Sequence, residues 1–166
     1  MTARLGNFLG FAACVALLGY AYYAQYFLHL EPCPLCIFQR VGVFATGVMF
    51  LIAAVHDPVA WGRRVYALLV GLAALATVGV AAKHLYIQSL PPDAVPSCGA
   101  SLAYMMKIFS LGEVITKVLT GSGECAKITW KFLGLSMPGW VLIAALALLV
   151  WGLWLNLRRQ RPILRF

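Results

Sequence analysis

The sequence predicts an all-α membrane protein, a bundle of four transmembrane helices, on three observations. Hydrophobic residues make up 63% of the 166 residues and charged residues only 11%, whereas soluble domains carry roughly 25% charged residues. Four apolar segments are each long enough to cross a bilayer, which takes about 20 residues of helix. Arginines flank these segments, as expected of a membrane protein. The length suits one integral membrane domain covering residues 1–166.

Each predicted span follows from an apolar run and from the charges at its ends. The spans cover about residues 8–28, 37–55, 65–82 and 139–157. The first contains no charge, and the second has Arg40 near its start. The third ends at Lys83, and the fourth stops abruptly at Arg158. These boundaries leave a short loop at about 29–36 and a long loop at about 87–138.

The arginines also predict the orientation of the bundle. The short connection 56–64 holds two arginines and the C-terminal tail holds four. The positive-inside rule places these and Arg4 on the cytoplasmic side, so both termini face the cytoplasm and the other two loops face outward. The net charge of +8 is therefore a membrane signal. The sequence has no basic run interleaved with aromatic residues in a soluble stretch, so nucleic-acid binding is not predicted.

Residues 97–119 of the long outer loop carry apolar side chains at three- and four-residue spacing. This stripe predicts an amphipathic helix lying on the membrane surface. Packing of the stripe against the protein's own bundle is an alternative that the spacing leaves open. Prolines before the segment and glycines after it predict an irregular connection on one side and a flexible one on the other.

The first apolar segment has a cleaved signal peptide as its alternative. A signal peptide has an apolar core of about 7–15 residues, and this segment is longer. Phe11–Cys14 loosely resembles a lipoprotein cleavage box, but Val15–Tyr23 continues apolar beyond it. The segment is therefore predicted to be a span, with Cys14 as a buried apolar filler. Gly6 and Gly10 have a helix-packing spacing that an apolar stretch is expected to produce by chance.

Cys33 and Cys36 form a CxxC motif at the predicted start of the second span. A ring this small contributes little loop-closure stabilisation, so the motif favours a reactive disulfide over a structural one. A helix N-terminus stabilises a thiolate, and Pro34 suits the first turn of a helix. Arg40 lies one turn beyond Cys36, where its cation can stabilise the thiolate or bind the oxygen of a redox partner. Snorkelling to the interface is its alternative role.

Cys98 and Cys125 lie in the long loop, on the same predicted side of the membrane as the CxxC motif. A purely structural disulfide is the main alternative to a redox role, because outward-facing cysteines pair in an oxidising compartment. A zinc site is disfavoured, because the two cysteines are far apart in sequence and no histidine lies between them. A c-type haem site is excluded, because Ile37 follows Cys36. No metal is predicted.

His84 stands at the end of the third predicted span, at the same membrane depth as Arg40. A lipid-soluble redox carrier such as a quinone could form hydrogen bonds to both side chains. A histidine that only occupies the membrane interface is the alternative.

These residues resemble the bacterial disulfide-bond formation protein B (DsbB) family of quinone-linked thiol oxidases. The matching segments are Glu31–Arg40, His84, Cys98, Ser122–Ala126 and Phe132–Trp140. They extend from the first span to the fourth, in the order and topology of the family. The resemblance implies a location in the bacterial inner membrane, with the cysteines facing the periplasm.

The resemblance also implies an activity: reoxidation of a periplasmic thioredoxin-like protein of the DsbA type, itself a strong oxidant. The electrons would pass to the membrane quinone pool, either ubiquinone or menaquinone. Cys98 would form the mixed disulfide with the partner, Cys125 would be its loop mate, Cys33 would receive electrons by exchange and Cys36 would face the quinone. The implied catalytic residues are Cys33, Cys36, Cys98 and Cys125, and the implied quinone-site residues are Arg40 and His84.

Two other functions remain as alternatives. A vitamin K epoxide reductase-like quinone enzyme also combines four helices, a CxxC and a loop cysteine pair, but its CxxC is expected late in the bundle. A non-enzymatic membrane scaffold with structural disulfides predicts that replacing Cys33 or Cys36 leaves activity in cells intact.

Overall fold

Four long helices form the fold, as predicted. The computed structural model describes residues 2–58, 61–91, 107–110, 112–114, 116 and 123–158. In chain order its elements are α1 (Ala3–Tyr26), α2 (Pro34–His56), α3 (Trp61–Ser89), α4 (Gly123–Ala126), β1 (Lys131–Phe132), β2 (Leu135–Ser136) and α5 (Met137–Leu157). Helices α1, α2, α3 and α5 are each long and apolar enough to cross a membrane. The predicted class is therefore confirmed.

Helix α3 is the element whose length differs most from the prediction. The predicted span ended before Lys83, but the helix continues to Ser89 because His84 and Ile87 are buried against the rest of the protein. Its 29 residues correspond to about 43 Å of helix, which exceeds the roughly 30 Å hydrocarbon core of a bilayer. The helix is therefore long enough to extend beyond the bilayer core. The other three membrane helices begin only a few residues before their predicted starts.

The four long helices close into a bundle. Helix α1 packs on α2, α2 on α3 and α3 on α5, while α1 also contacts α5. Phe50 of α2 is fully buried, and a Cβ added at Gly10 of α1 would come within 2.9 Å of its ring. A Cβ at Gly6 would likewise come within 2.6 Å of Leu155. The spacing of Gly6 and Gly10, predicted to be a chance match, is therefore a helix-packing face.

A reciprocal pair of asparagines joins α1 to α5 inside the apolar bundle. The Asn7 side-chain amide donates to Asn156 Oδ1 at 3.2 Å, and the Asn156 amide donates to Asn7 Oδ1 at 3.1 Å. The side chains are 1% and 3% exposed. Asn156 also donates to the Gly152 carbonyl at 2.9 Å. Since an unpaired amide is costly in an apolar environment, each asparagine needs the other.

Replacing Asn7 by alanine is expected to lower the stability of the bundle by about 1 kcal/mol, as for other hydrogen bonds between membrane helices. The loss arises because Asn156 Oδ1 stays buried and loses the Asn7 donor. Unfolding in detergent measures the effect in Asn7→Ala, Asn156→Ala and the double variant. The double variant should be more stable than the sum of the two single losses predicts. Strictly additive losses would show that the pair does not act as a unit.

The predicted surface helix at 97–119 lies largely outside the described residues. Its described parts include helical positions at 107–108, 112–114 and 116. Val114 is 3% exposed and packs in a buried cluster with Leu35, Ile87 and Cys125. At Val114, therefore, the segment packs on the protein itself, which is the alternative that the sequence left open.

A small β-hairpin precedes α5, where the sequence predicted only loop. Strands β1 and β2 pair antiparallel, with Phe132 opposite Leu135. The turn residues Leu133 and Gly134 have φ values of 50° and 81°, as two-residue hairpin turns of type I′ require. Two side-chain hydrogen bonds attach the hairpin to its neighbours: Trp140 Nε1 donates to the Phe132 carbonyl at 3.1 Å, and Ser136 Oγ donates to Gln88 Oε1 at 2.8 Å. The hairpin is thereby held against the ends of α3 and α5.

Candidate active site

The CxxC motif forms the first turn of α2. Cys33 is the N-cap residue, and its Sγ accepts a hydrogen bond from the Cys36 N–H at 3.4 Å. The two sulfurs are 3.1 Å apart. Pro34 occupies the first turn, where its missing N–H and fixed φ suit a helix start. The positive end of the helix therefore lies at the two sulfurs, an arrangement that stabilises a thiolate.

His84 of α3 lies between the CxxC motif and the segment that carries Cys125. Its Nε2 is 3.7 Å from Cys33 Sγ and 3.1 Å from the Cys125 carbonyl oxygen. Its Nδ1 is 3.0 Å from Gln39 Nε2. The side chain is only 2% exposed. His84 is therefore a buried member of the cysteine site, and its role toward a redox carrier stays a prediction.

Cys125, on α4, lies at the same site although it is distant in sequence from the CxxC motif. It is 1% exposed, and Cys33 Sγ, Cys125 Sγ and a ring nitrogen of His84 all lie within 4.8 Å of one another. Three of the four predicted catalytic cysteines, Cys33, Cys36 and Cys125, are thus brought together. The fourth, Cys98, lies outside the described residues.

The three ligand atoms of Cys33, His84 and Cys125 are close enough to share a metal ion. Thiolate and imidazole are the ligands that zinc prefers. The sequence argument against zinc considered only histidines of the long loop, and His84 comes from α3 instead. The absence of a metal stays a prediction, because the same proximity also serves thiol–disulfide exchange.

Arg40 is held by α1. Its guanidinium donates to the Ala21 carbonyl at 3.0 Å and to Gln25 Oε1, and it lies over the Tyr22 ring at 5.1 Å from the centroid. The side chain is half-buried, and its role at a redox partner stays a prediction. A guanidinium has five N–H groups, so Arg40 retains donors for a further acceptor.

A cavity of about 590 Å³ opens beside these residues, and α1, α2, α3, α5 and the hairpin all contribute to its lining. Its volume falls within the range of small-molecule sites, and such sites combine apolar walls with a few polar groups. Its lining includes the redox and polar side chains of Cys33, Cys36, Gln39, Arg40 and His84. The apolar part of the lining includes Leu17, Leu18, Val43 and Val141.

Aromatic side chains from α1, the hairpin and α5 also line this cavity. Tyr20 meets Trp130 edge-on at 6.2 Å between ring centroids, and Trp130 stacks on Phe132 at 6.0 Å. Phe132 in turn lies 6.0 Å from Trp140. Sequence reasoning missed this wall, because the hairpin that carries Phe132 was not predicted. The Leu133-Gly134 turn was the available signal.

Gln39 is the second functional candidate that sequence reasoning did not identify. It was part of the matching segment Glu31–Arg40 but received no role. Its position three residues after Cys36 places both on one helix face, which was the available signal. Its contact with His84, from a residue 45 positions away, has no local signature in the sequence.

Comparison with known proteins shows the family of this chain. The family model described as "Disulfide bond formation protein DsbB" matches residues 3–155. A Chromobacterium violaceum protein named "Disulfide bond formation protein B" is 50% identical over 161 residues, which cover 97% of this chain and 97% of that protein. A Nitrosococcus oceani protein of the same name is 50% identical over 154 residues, covering 93% and 91% of the two chains.

The family match covers nearly the whole chain, and the four apolar helices are those of a multi-pass membrane protein. The CxxC motif, Cys125 and His84 lie together at one site within this matched region. The chain therefore belongs to the DsbB family of disulfide bond formation proteins and is a membrane oxidoreductase.

Proposed function

We propose that this protein is a thiol:quinone oxidoreductase that reoxidises a periplasmic thioredoxin-like disulfide donor of the DsbA type. Electrons enter at Cys98 and Cys125, pass to Cys33 and Cys36, and leave to a membrane quinone, ubiquinone or menaquinone. The protein resides in the bacterial inner membrane with its cysteines facing the periplasm. The family relationship and the positive-inside pattern of arginines support this location.

The observation that carries the proposal is the cavity in which the CxxC pair, Arg40 and His84 meet an apolar wall. A quinone has carbonyl oxygens that accept hydrogen bonds and a long apolar tail. Arg40 supplies N–H donors beside Cys36, and residues such as Leu17, Leu18 and Val43 offer the tail an apolar surface. When bound, a quinone supplies an acceptor for two electrons and two protons.

The arrangement of the sulfurs supports exchange between the two cysteine pairs. Cys125 Sγ lies within 4.8 Å of Cys33 Sγ, so little movement separates it from attack distance. Attack of the Cys125 thiolate on a Cys33–Cys36 disulfide forms the Cys33–Cys125 bond and leaves the electron pair on Cys36. The Cys36 side chain lines the cavity, so this step delivers the reducing thiolate to the quinone site.

The energetics of the sequence are favourable with such an acceptor. A DsbA-type donor has a reduction potential of about −120 mV, and each 30 mV of difference supplies about 1.4 kcal/mol in a two-electron reaction. A quinone pool more oxidising than the donor therefore draws electrons through the cysteines.

Replacing Arg40 by methionine tests the quinone site. The variant should reduce a soluble quinone with kcat/KM lowered at least about tenfold, since a hydrogen bond from a charged donor contributes about 1.5–3 kcal/mol. Exchange between a reduced thioredoxin-like partner and Cys98 should keep its rate. Quinone absorbance and formation of the mixed disulfide measure the two steps separately.

Arg40→Lys is the matched control. It keeps the charge but lacks the planar fork that reaches both Ala21 and Gln25, so its quinone reduction should fall between wild type and Arg40→Met. Equal loss of quinone reduction and of exchange at Cys98 would assign Arg40 a structural role and count against the proposed quinone site.

A further inference from the structure

We propose that Gln39 is a positioning residue that holds the His84 ring in one tautomer, with its proton on Nε2, so that His84 donates a hydrogen bond to the Cys33 sulfur. The contribution of this hydrogen bond to turnover rests on the proposed thiol oxidase function. The tautomer itself depends only on the contacts within the site.

The Cys125 carbonyl favours a proton on one nitrogen of His84. This carbonyl oxygen lies 3.1 Å from Nε2, and a carbonyl can only accept a hydrogen bond. A hydrogen on Nε2 is therefore needed for this hydrogen bond to form. A neutral imidazole has one N–H, so its other nitrogen, Nδ1, is then an acceptor that needs a donor.

Gln39 supplies that donor. Its amide nitrogen lies 3.0 Å from His84 Nδ1, and its side chain is only 3% exposed, so little water can take its place. The carbonyl on one side of the ring and the amide on the other therefore require the same tautomer. Because Gln39 is on α2 and the Cys125 carbonyl is on α4, the ring is fixed between two elements.

The fixed tautomer directs a donor at Cys33. The Nε2 atom is 3.7 Å from Cys33 Sγ, so its hydrogen can be shared between this sulfur and the Cys125 carbonyl. With its lone pair on Nδ1, His84 cannot remove a proton from Cys33 through Nε2. It acts instead as a hydrogen-bond donor that stabilises a Cys33 thiolate.

One exchange step generates that thiolate. Attack of another thiolate on Cys125 Sγ in a Cys33–Cys125 disulfide forms a new bond to Cys125 and breaks the bond to Cys33. The electron pair of the broken bond remains on Cys33, and the His84 Nε2–H donates to it without giving up its proton. Gln39 acts on this step only through His84.

Two variants separate this role from simple packing. Gln39→Leu removes the donor to Nδ1 while filling similar space. Gln39→Glu keeps the shape but offers only acceptor oxygens, so it favours a proton on Nδ1 in addition to the one on Nε2. Nitrogen NMR of histidine-labelled, reduced protein in detergent reports which ring nitrogens are protonated, with His84→Ala identifying the signals.

The wild type should show a single Nε2–H tautomer at His84, Gln39→Leu a mixture of tautomers, and Gln39→Glu a ring protonated on both nitrogens. Alkylation of Cys33 by iodoacetamide, quantified by mass spectrometry, should slow about tenfold in Gln39→Leu, a change equivalent to about 1.4 kcal/mol. It should remain at or above the wild-type rate in Gln39→Glu, which retains Nε2–H.

An Nδ1–H tautomer in the wild type, or an unchanged tautomer in Gln39→Leu, would overturn the proposal. Equal slowing of Cys33 alkylation in both variants would also overturn it, since that pattern indicates a packing defect. Neither measurement contains quinone or partner protein. A failed quinone assay would therefore count against the proposed function. The NMR and alkylation results would still test the role of Gln39.

Discussion

Replacing Cys36 by serine is expected to abolish quinone reduction by this protein. The Cys36 sulfur is 3.1 Å from Cys33 Sγ and lines the cavity that also contains Arg40. A serine hydroxyl cannot form a disulfide with Cys33, and it cannot deliver electrons. Purified protein, a reduced thioredoxin-like partner and a soluble quinone allow turnover to be followed by the absorbance of the quinone. The variant should show only the background rate.

Cys14→Ala provides the matched control for the loss of a cysteine. Cys14 is 1% exposed and packs in a buried cluster with Val43, Phe50, Val70 and Leu148, as the prediction of an apolar filler requires. Its replacement should leave turnover within about twofold of wild type, because it lies outside the cavity lining. Persistent turnover in Cys36→Ser would instead favour the scaffold alternative, in which the cysteine pair is dispensable.

Replacing Cys125 by serine is expected to trap the partner protein on Cys98. In the proposed order the partner's thiolate attacks Cys98, and Cys125 leaves and attacks Cys33, whose sulfur lies within 4.8 Å. Without the Cys125 sulfur, electrons cannot move from the Cys98 segment to the CxxC pair. In the variant, the Cys98 thiolate attacks the disulfide of an oxidised partner, which forms the Cys98–partner bond and releases the partner's second sulfur as a thiolate. This mixed disulfide should accumulate, and quinone reduction should stop. Non-reducing electrophoresis followed by mass spectrometry identifies the adduct and the cysteine that carries it.

The double variant Cys98→Ser/Cys125→Ser is the control for this experiment, and it should form no adduct. An adduct on Cys33 in the single variant would show that the partner reaches the CxxC pair directly. Complete absence of an adduct under native expression would contradict the assigned order of electron transfer. Both outcomes would leave the membrane fold and the family relationship unchanged.

The main features of the bundle could be predicted because they depend on local properties of the chain. Length and apolarity of a segment decide whether it can span a bilayer, and all four predicted spans appear as helices. The continuation of helix α3 beyond the predicted span was not predicted, because Lys83 and His84 looked like a terminal polar pair. The helix continues because His84 is buried and hydrogen-bonded, a circumstance that the flanking sequence does not reveal.

The site was only partly predictable for the same reason. The sequence identified Cys33, Cys36 and Arg40 on one helix end, since their spacing along a helix is known in advance. It also singled out His84 and Cys125, but as separate elements. Arg40 was predicted to act near Cys36. Its hydrogen bonds to Ala21 and Gln25 of α1 could not be predicted from the sequence.

The sequence by itself determined the all-α membrane class, the four spans, the CxxC motif at a helix start and the resemblance to the DsbB family, because each depends on residue order and short-range spacing. Only the tertiary structure decided that His84 lies between Cys33 and Cys125 and that Gln39 holds the His84 ring. It also decided that a hairpin with an aromatic side chain lines the cavity. The His84–Cys33 contact joins residues 51 positions apart. Such contacts depend on how the helices pack against one another, and local sequence patterns do not predict that packing.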